Sequence, residues 1–481
     1  MVVDRNDAAK TQESRKTQEL TTETRLEKTP VDARRDEQAR PLRLGKRTYP
    51  VWTPAMVEAR EKLRREGRKW YILHDKVYDP RNLKEAWEQI QANDGAPGLS
   101  GLTIEEYGKT LEERLRKVGG KLREQQYEAS PIRRKWIPKT DGSGKQRPLG
   151  IPEVEDRLVQ AAIVRVIEPI YEGKFFEGSY GFRPERSGLN ALAQLEREIT
   201  TGRPYLVDAD IRDCFGSIPH ERLMEEIGKE ISDPKLLRLM QQFVEADIVE
   251  EMRRWTPEKG TPQGAVLSPL LANIYLHEFD RQMLTAGYEV MRYADDFVVT
   301  SQTREGAEQA RKKAEEILKG LGLEMHPQKT RVIDTRKSRF QFLGYEFWPR
   351  NGKPPGREPR PSSQKKLHDA VRRKTPRRSG DSLKEIVREL NPTLRGWYGY
   401  FRYSFWNVFG DVDGFVRRRL RSILRKWEKR RGTAKNRDDN ARYPNSLFER
   451  AGLYSLEREH EREAKKRHVG AHELFALPAR A

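Results

Sequence analysis

The sequence predicts an α+β fold, because helical and strand-like segments are interspersed and the strands do not follow one another directly. Apolar and aromatic residues recur at helical spacing between residues 52 and 91. Strand-like runs occupy residues 205–211 and 288–300, with helices predicted between them. These patterns indicate a sheet assembled from separated strands and covered by helices.

The first third of the chain divides into a polar extension and a structured region. Residues 1–50 are rich in charged and polar side chains and cannot bury enough apolar surface to offset the entropy of ordering, so we expect a disordered extension. Helices follow as far as residue 91 and stop at the glycine-rich segment 95–101. A strand at 134–138 then leads into a hairpin turn at 141–144.

The remainder of the chain alternates helices with short strands. Helices are predicted over residues 155–170 and up to residue 199, and a later strand is predicted around residues 340–347. The proline- and glycine-rich segment 349–361 has the composition of a linker. Beyond it the hydrophobic periodicity is largely helical.

Positive charge is concentrated in the last third of the chain. The 481 residues carry a formal net charge of +20. Residues 350–431 contain 24 basic and 8 acidic residues, a net +16, and therefore hold most of the excess. A localised positive surface of this size is typical of proteins that bind nucleic acid phosphates, with a solvated helix surface as the alternative.

Cysteine content and hydropathy exclude several classes of protein. Cys214 is the only cysteine, which excludes an internal disulfide framework and cysteine-based zinc modules. The N-terminal residues lack the apolar core of a signal peptide, and no stretch reaches the roughly 18 apolar residues of a membrane span. We therefore expect a protein of a reducing compartment, the cytoplasm.

Acidic residues are predicted at the ends of two strands. The Tyr-Ala-Asp-Asp turn at residues 293–296 joins two β-prone runs, which indicates a hairpin whose tip carries adjacent carboxylates. Asp208 and Asp210 share one face of the strand 205–211, because side chains alternate along a strand. If Asp210 lay beside the turn, mutual repulsion of the carboxylates would favour binding of Mg²⁺. Taken alone, two adjacent aspartates are more often simply a turn.

A series of short motifs gives these acids a context. In chain order they are Trp136–Lys139 (WIPK), Arg147–Pro152 (RPLGIP), Asp156–Gln160 (DRLVQ), Ser179–Pro184 (SYGFRP), Asp208–Ile211 (DADI), Gly260–Gly264 (GTPQG), Leu267–Asn273 (LSPLLAN), Arg292–Asp296 (RYADD), Lys329–Thr330 (KT), Phe342–Gly344 (FLG) and Leu390–Trp397 (LNPTLRGW). Each string alone is weak. The ordered set, over about residues 70–430, resembles the group II intron-encoded reverse transcriptases, the maturase family.

The resemblance implies a right-hand polymerase of fingers, palm and thumb, with a helical, basic thumb that is also the maturase domain. Residues 51–350 correspond to fingers and palm, and residues 351–431 to the RNA-binding thumb and maturase domain. Residues 432–481 occupy the place of the family's DNA-binding region and are expected to form a C-terminal tail. No HNH endonuclease domain is expected.

By the same resemblance, the catalytic residues are Asp210, Asp295 and Asp296, and the metal ligands are these three with Ile211. They would hold two Mg²⁺ ions, for which Mn²⁺ can substitute. The residues that correspond to deoxynucleotide contacts are Lys139, Arg147, Phe215, Gln263, Gly264 and Lys329, and the primer grip corresponds to Phe342, Leu343 and Gly344. Phe215 matches the bulky residue that blocks a ribose 2′-hydroxyl.

Arginines of the C-terminal third are candidate RNA contacts, namely Arg395, Arg402, Arg417, Arg418, Arg419 and Arg421. The first two lie among aromatic residues that either stack on bases or pack a helix bundle. The implied partners are group II intron RNA, a DNA target or primer, and dNTPs, without a membrane and with the oligomeric state left open. Action on DNA would associate this bacterial-type protein with the nucleoid.

The function that the resemblance implies is RNA-directed DNA polymerase activity in a protein that binds its intron RNA, assists splicing and reverse transcribes the intron during retrohoming. One alternative is a domesticated relative that serves DNA repair or phage defence. Another is an RNA-binding splicing factor with a vestigial polymerase. The intact carboxylates favour the polymerase over this last class, since RNA binding alone does not require a cluster that repels phosphates.

Overall fold

The computed structural model describes residues 42–44, 47–138, 144–351, 353–377, 380–430 and 437–469. Helices and strands are interspersed along these ranges, which confirms the predicted α+β class. None of the helices in the described ranges has the length and apolar character needed to cross a membrane.

The first part of the chain is mainly helical and surrounds one central helix. Its elements are β1 (Leu42–Leu44), β2 (Arg47–Tyr49), α1 (Pro54–Glu66), α2 (His74–Val77), α3 (Pro80–Asn93), α4 (Ile104–Gly108), α5 (Leu111–Arg123), β3 (Ile132–Pro138), β4 (Gln146–Ile151) and α6 (Val154–Glu172). Helix α6 is buried along almost its whole length. The side-chain amide of Asn82 on α3 donates to the carbonyl oxygen of Ala162 on α6 at 3.0 Å and ties the two helices together.

The predicted N-terminal extension ends earlier than expected. Strands β1 and β2 pair with each other in antiparallel fashion, so residues 42–44 and 47–49 are not part of a disordered tail. Tyr49 and Trp52 are buried, and the Tyr49 hydroxyl donates to Glu168 on α6. Burial of these aromatic side chains supplies the apolar contacts that the average composition of residues 1–50 conceals. Residues 1–41 lie outside the described ranges.

The middle of the chain contains the main sheet. Its elements are α7 (Gly188–Thr200), β5 (Tyr205–Asp210), α8 (Cys214–Ser217), α9 (His220–Gly228), α10 (Pro234–Val244), β6 (Ile248–Glu250), β7 (Arg253–Trp255), α11 (Ser268–Thr285), β8 (Val290–Tyr293), β9 (Asp296–Ser301), α12 (Arg304–Gly320) and β10 (Arg331–Asp334). The main sheet has the strand order β10-β5-β9-β8 and is antiparallel throughout.

Both faces of the main sheet are covered. On one face, Leu206 and Val298 pack with Leu195 of α7. On the other face, Val207 and Val299 join the large core that includes α11 and α12. Because side chains alternate along β5, Asp208 and Asp210 lie on the same face as Leu206, the face covered by α7. Both lie in the C-terminal half of the strand.

A second sheet has the strand order β4-β3-β6-β7. Strands β3 and β4 form the predicted hairpin, from Arg133 opposite Ile151 to Pro138 opposite Gln146. The turn residues 139–143 lie outside the described ranges, and they include Lys139.

The region after the main sheet differs from the sequence expectation. It contains β11 (Phe340–Phe342), β12 (Tyr345–Trp348) and β13 (Gly356–Pro359), which pair in that order as an antiparallel sheet. The single strand predicted at 340–347 is wrong, because residues 343 and 344 form a turn with φ values of 46° and 83°. The predicted linker at 349–361 is also wrong over β13, where Gly356 leaves the space that the Trp348 ring occupies.

The C-terminal part is helical, as predicted, and has its own core. Its helices are α13 (Pro361–Lys374), α14 (Leu383–Phe401), α15 (Asn407–Trp427), α16 (Arg437–Arg442), α17 (Asn445–Arg450) and α18 (Leu456–Val469). Leu390 and Leu420 share one apolar cluster with Tyr443, Phe448 and Leu456. The domain core therefore continues past residue 431, where the sequence suggested that a separate tail begins.

Candidate active site

The acidic turn lies between β8 and β9, whose last pair is Tyr293 opposite Asp296. Ala294 adopts a φ of 60°, as the first central residue of a two-residue hairpin turn of type II′ requires. Gly181, from the predicted SYGFRP loop, lies directly against the turn: a Cβ there would be 2.5 Å from the Ala294 nitrogen. The loop and the turn thus fix one another's position.

A buried arginine, Arg292, fixes this turn from the interior of the protein. The Arg292 guanidinium forms an ion pair with Asp280 of α11 at 2.6 Å, and the two side chains are 0% and 1% exposed. It also donates to the Ala294 carbonyl oxygen at 3.1 Å and to the Asn273 side-chain oxygen at 3.2 Å. Asn273 in turn donates to the Gly181 carbonyl oxygen at 2.8 Å. Sequence reasoning assigns Arg292 and Asp280 no role, although a charged residue inside the apolar run of β8 is the signal that would have found them.

The first aspartate meets the turn across the sheet. Asp210 at the end of β5 is the direct cross-strand partner of Asp296 on β9. The backbone N–H of Ile211 donates to the Asp295 carbonyl oxygen at 3.1 Å. The structure therefore brings together the acidic positions that the sequence predicted to be neighbours.

Three negatively charged carboxylates repel one another at this site. Burial and the negative charges of Asp295 and Asp210 raise the pKa of the Asp296 carboxyl to about 7. Because the Asp296 side chain is exposed to solvent, repulsion from the carboxylates of Asp295 and Asp210 is the main cause of this rise in pKa. The Lys329 ammonium lies 2.8 Å from Asp210. Burial opposes the charge of Lys329, but this ion pair raises its pKa.

The carboxylate oxygens of the aspartates are suitable ligands for a hard divalent cation, but their side chains do not already surround a metal-sized site. Clustered carboxylate oxygens are donors whose mutual repulsion Mg²⁺ relieves. Among the described residues, no group of three or more His, Cys, Asp or Glu side chains is already arranged to hold a metal ion.

Asp208, on the same strand face, does not belong to this group. Its carboxylate accepts from the Arg331 guanidinium of β10 at 3.1 Å. Arg331 also opposes the rise in the pKa of Asp208 that burial causes. Asp208 is thus engaged with the neighbouring strand, and Asp210 alone of the two faces the turn.

A large cleft opens beside the aspartates. It has a volume of about 1120 Å³ and is lined by Asp210, Ile211 and Asp295 together with four of the predicted nucleotide contacts, Arg147, Phe215, Gln263 and Lys329. The cleft also extends to Arg134 and Trp136 of β3. Side chains that lie far apart in the sequence therefore converge on one open space.

The Gln263–Gly264 loop is fitted closely against β4. The Gly150 N–H donates to the Gln263 carbonyl oxygen at 2.7 Å. Gly264 has a φ of 105°, and a Cβ there would lie 2.7 Å from the Gly150 carbonyl oxygen. Only glycine meets both the conformation and the close approach.

Two regions of the chain match known families. Residues 137–347 match the family described as reverse transcriptase (RNA-dependent DNA polymerase), and residues 364–440 match the group II intron, maturase-specific domain. Protein YkfC of Escherichia coli is 31% identical over 312 residues, which cover 56% of this chain and 81% of YkfC. The chain belongs to the family of group II intron-encoded reverse transcriptases.

Other members of this family match over a shorter length. The group II intron-encoded protein LtrA of Lactococcus lactis is 38% identical over 214 residues, 44% of this chain and 34% of LtrA. A 91 kDa protein in a cob intron of Schizosaccharomyces pombe is 36% identical over 197 residues, 40% of this chain and 24% of that protein. The matched region thus spans about a third of LtrA. Reverse transcriptase domains generally use divalent metal ions, which agrees with the donor set described above.

In this member of the family, Phe215 lies on the wall of the cleft, half-buried in the short helix α8. Its ring meets the edge of Phe182 at a centroid distance of 6.4 Å, and its carbonyl oxygen accepts from the Thr261 N–H at 2.6 Å. The Phe215 backbone and ring are thereby fixed between the SYGFRP loop and the GTPQG loop. A fixed ring beside the cleft suits the predicted steric role.

The predicted primer-grip residues are the last residue of β11, Phe342, and the turn to β12, Leu343 and Gly344. The Leu343 carbonyl oxygen accepts from the Tyr400 hydroxyl of α14 at 2.8 Å. The Tyr345 hydroxyl donates to the Tyr400 carbonyl oxygen at 2.6 Å. These bonds join the turn to the helical domain.

The six candidate RNA-binding arginines differ in their exposure to solvent. Arg395 and Arg418 are exposed, whereas Arg402 and Arg417 are partly exposed. Arg419 donates to the Thr375 carbonyl oxygen at 2.6 Å and so fixes α15 to the end of α13. The remaining arginine, Arg421, has a different place.

Arg421 is buried within the helical domain. It donates to the Tyr443 carbonyl oxygen at 2.9 Å and to the Asn445 side chain at 2.7 Å. Burial lowers the pKa of its guanidinium. The interpretation of Arg421 as an RNA contact is therefore replaced by a structural role in joining α15 to α17. The sequence could not separate it from its neighbours in the arginine run, because helical phase decides which of them faces inward.

Proposed function

We propose that this reverse transcriptase copies RNA into DNA at the cleft above Asp210, Asp295 and Asp296. The observation that carries the proposal is the meeting of these aspartates at the edge of a cleft that also presents Arg147, Gln263 and Lys329. Such a pairing of a carboxylate cluster with cations suits phosphoryl transfer from a nucleoside triphosphate.

The metal ligands proposed are Asp210, Asp295 and Asp296 with the backbone of Ile211, holding two Mg²⁺ ions or Mn²⁺ in their place. When bound, such ions lower the pKa of a primer 3′-hydroxyl and offset charge on the leaving pyrophosphate. The chain's own contribution is to hold the carboxylates by the Arg292 network and to balance their charge with Lys329.

Nucleotide binding is proposed for the walls of the cleft. Arg147 is exposed on β4 and suits contact with phosphate oxygens. Gln263 presents a side-chain amide to the cleft, while Gly264 allows close backbone approach. Phe215 narrows the space beside the sugar, and Lys139 belongs to the same proposal by its motif. The substrates would be dNTPs paired to an RNA template, with the DNA primer end at Phe342–Gly344.

Intron RNA is the proposed partner of the helical domain. The maturase-specific match covers residues 364–440, and the net charge of +16 over residues 350–431 favours phosphate binding. In this proposal the protein binds its parent intron RNA, assists splicing and copies the intron at a DNA target.

Primer extension tests the polymerase proposal. Purified protein is given a DNA primer on an RNA template with dNTPs and Mg²⁺, and DNA synthesis is expected that stops when a chelator is added. The absence of extension under these conditions would favour the alternative of an RNA-binding splicing factor.

Splicing of the parent intron tests the RNA partner separately. At a Mg²⁺ concentration too low for self-splicing, the protein is expected to accelerate splicing, and the Asp295→Asn variant is expected to retain this effect. A wild-type protein that extends primers but leaves splicing unchanged would contradict the maturase role and leave the polymerase proposal intact.

A further inference from the structure

A group of aromatic side chains is exposed at the junction between α14 and α15. Tyr403 is 38% exposed, Phe405 37% and Trp406 64%. The neighbouring aromatics Tyr398 and Phe401 are buried, so the domain core does not use these three rings. Large aromatic surfaces left open to solvent commonly mark binding sites. We call Tyr403, Phe405, Trp406 and the adjacent Trp348 the aromatic surface.

Guanidinium groups are interleaved with these rings. Arg402 lies 5.0 Å and Arg357 5.3 Å from the Tyr403 ring centroid, and Arg350 lies 5.8 Å from that of Phe405. Arg357 also forms an ion pair with Glu196 at 3.1 Å. Among the described residues, Arg350 and Arg402 make no ion pair, so the aromatic surface carries net positive charge. Aromatic faces alternating with uncompensated arginines favour stacked bases and their phosphates.

Backbone contacts hold the aromatic surface in place. The Phe405 N–H donates to the Arg357 carbonyl oxygen at 2.9 Å, and the Arg357 guanidinium donates to the Tyr403 carbonyl oxygen at 3.0 Å. Trp348 meets Phe405 edge to face at 6.0 Å. Strand β13 and the α14–α15 junction are therefore joined directly. Arg360, the residue that follows β13, lines the cleft beside the aspartates, so this segment connects the two sites.

We propose that the aromatic surface binds unpaired nucleotides by stacking of their bases, with Arg350 and Arg402 contacting the phosphates. The proposal rests on the proposed function only in that the ligand is nucleic acid. A paired duplex presents its phosphates but not its base faces, so the surface distinguishes single strands from duplexes. The single strand is RNA or DNA with the same chemistry, and the test separates them.

Binding of labelled 12-nucleotide oligomers tests the inference by fluorescence anisotropy, with single-stranded RNA, single-stranded DNA and an RNA duplex as probes. Trp406→Ala is expected to weaken single-strand binding roughly tenfold and to leave duplex binding unchanged, since each stacked base contributes about this much. Trp406→Phe retains a stacking face and is expected to restore most of the affinity. Trp427→Ala removes another exposed tryptophan, 39% exposed, and serves as the control.

The arginines are expected to give a different signature. The double variant Arg350→Gln, Arg402→Gln should lower the salt dependence of single-strand binding by about 0.7 per lost phosphate contact, whereas Trp406→Ala should leave that slope unchanged. A loss confined to RNA or to DNA supports the surface and identifies the strand, and an equal loss supports a shared site.

Equal affinities of Trp406→Ala and Trp427→Ala would overturn the inference, as would an equal loss for duplex and single strand, which would indicate a protein-packing role. One-nucleotide primer extension, measured in parallel, is expected to continue in Trp406→Ala. Absence of extension in the wild type would count against the proposed polymerase without affecting the oligomer result.

Discussion

Arg292 shows how one residue can determine the geometry of a site that it does not line. Its guanidinium satisfies Asp280, Asn273 and the Ala294 carbonyl oxygen at once, within a fully buried environment. Arginine fits this place because its planar fork reaches several acceptors in fixed directions. The acidic turn is therefore positioned from inside the protein.

Replacing Arg292 by Gln is expected to destabilise the fold strongly, because Asp280 would be left as a buried and uncompensated charge. The expected loss in the free energy of unfolding is about 3–5 kcal/mol, measured by chemical denaturation. Arg281→Gln is the matched control, since the Arg281 side chain is 57% exposed and its ion pair with Glu278 is worth about 0–1 kcal/mol. Restoration of part of the stability in Arg292→Gln, Asp280→Asn would show that the pair itself is responsible. Similar losses for Arg292→Gln and Arg281→Gln would contradict the network.

At the scale of elements, the predicted strands β5, β8 and β9 are confirmed, and their apolar side chains are buried on both faces of the main sheet. Strand β10 was not anticipated, since its run Arg331–Asp334 is polar at both ends, and its pairing with β5 supplies the stability. The β11–β12 turn was hidden because Leu343 adopts a positive φ that its residue type does not announce. Tertiary pairing, not local propensity, fixes these elements.

The same limit applies to the candidate site. The family resemblance of the motif strings predicted which aspartates meet, whereas alternation and turn chemistry alone placed these acids only at the ends of strands. The pairing of Lys329 with Asp210 and of Asp208 with Arg331 depends on the register of β10, which no local pattern encodes. Sequence therefore predicts the acids of the site better than the cations that balance them.

A buried aspartate on helix α6 makes the stability of the protein depend on pH. Asp156 in the first turn of this helix is buried and accepts from the Tyr127 hydroxyl at 2.7 Å and from the Ser130 N–H at 3.2 Å. Burial raises the pKa of Asp156 from 3.8 to about 6, although these hydrogen bonds oppose the rise. The folded state thus binds a proton more tightly than the unfolded state. The contribution of protonated Asp156 to stability is therefore fully present below about pH 4 and is lost as the pH rises through about 6.

Asp156→Asn removes this titration and keeps an oxygen acceptor. The free energy of unfolding of the variant relative to the wild type is expected to rise by up to about 3 kcal/mol between pH 4 and pH 7. Denaturation at a series of pH values measures the difference, in which other titrating groups cancel. A difference that is independent of pH would contradict the assignment.

At the scale of the whole molecule, the positive charge of the helical domain belongs partly to its surface and partly to its core. Arg418 is exposed on α15, whereas Arg421 and Arg425 are buried, the latter against Asp439. The net charge of residues 350–431 therefore overstates the number of arginines available to RNA. Helical phase separates the two kinds.

Salt-dependent RNA binding distinguishes these arginines. Arg418→Gln is expected to reduce the slope of log affinity against log salt by about 0.7–0.9, as one phosphate contact is lost, without a change in melting temperature. Arg421→Gln is expected to leave the slope unchanged and to lower stability by about 1–3 kcal/mol, because its buried acceptors lose their donor. The reverse pattern would show that the structural division of the arginines is wrong.

The most direct test of the polymerase site is single-turnover incorporation of one dNTP onto a DNA primer paired to an RNA template. Asp295→Asn is expected to lower the rate at least about a hundredfold while primer–template affinity stays within a few-fold of the wild type. Asp411→Asn, at an exposed acid on α15, is expected to match the wild type. Equal rates for Asp295→Asn and the wild type would show that the acidic turn is not the catalytic centre.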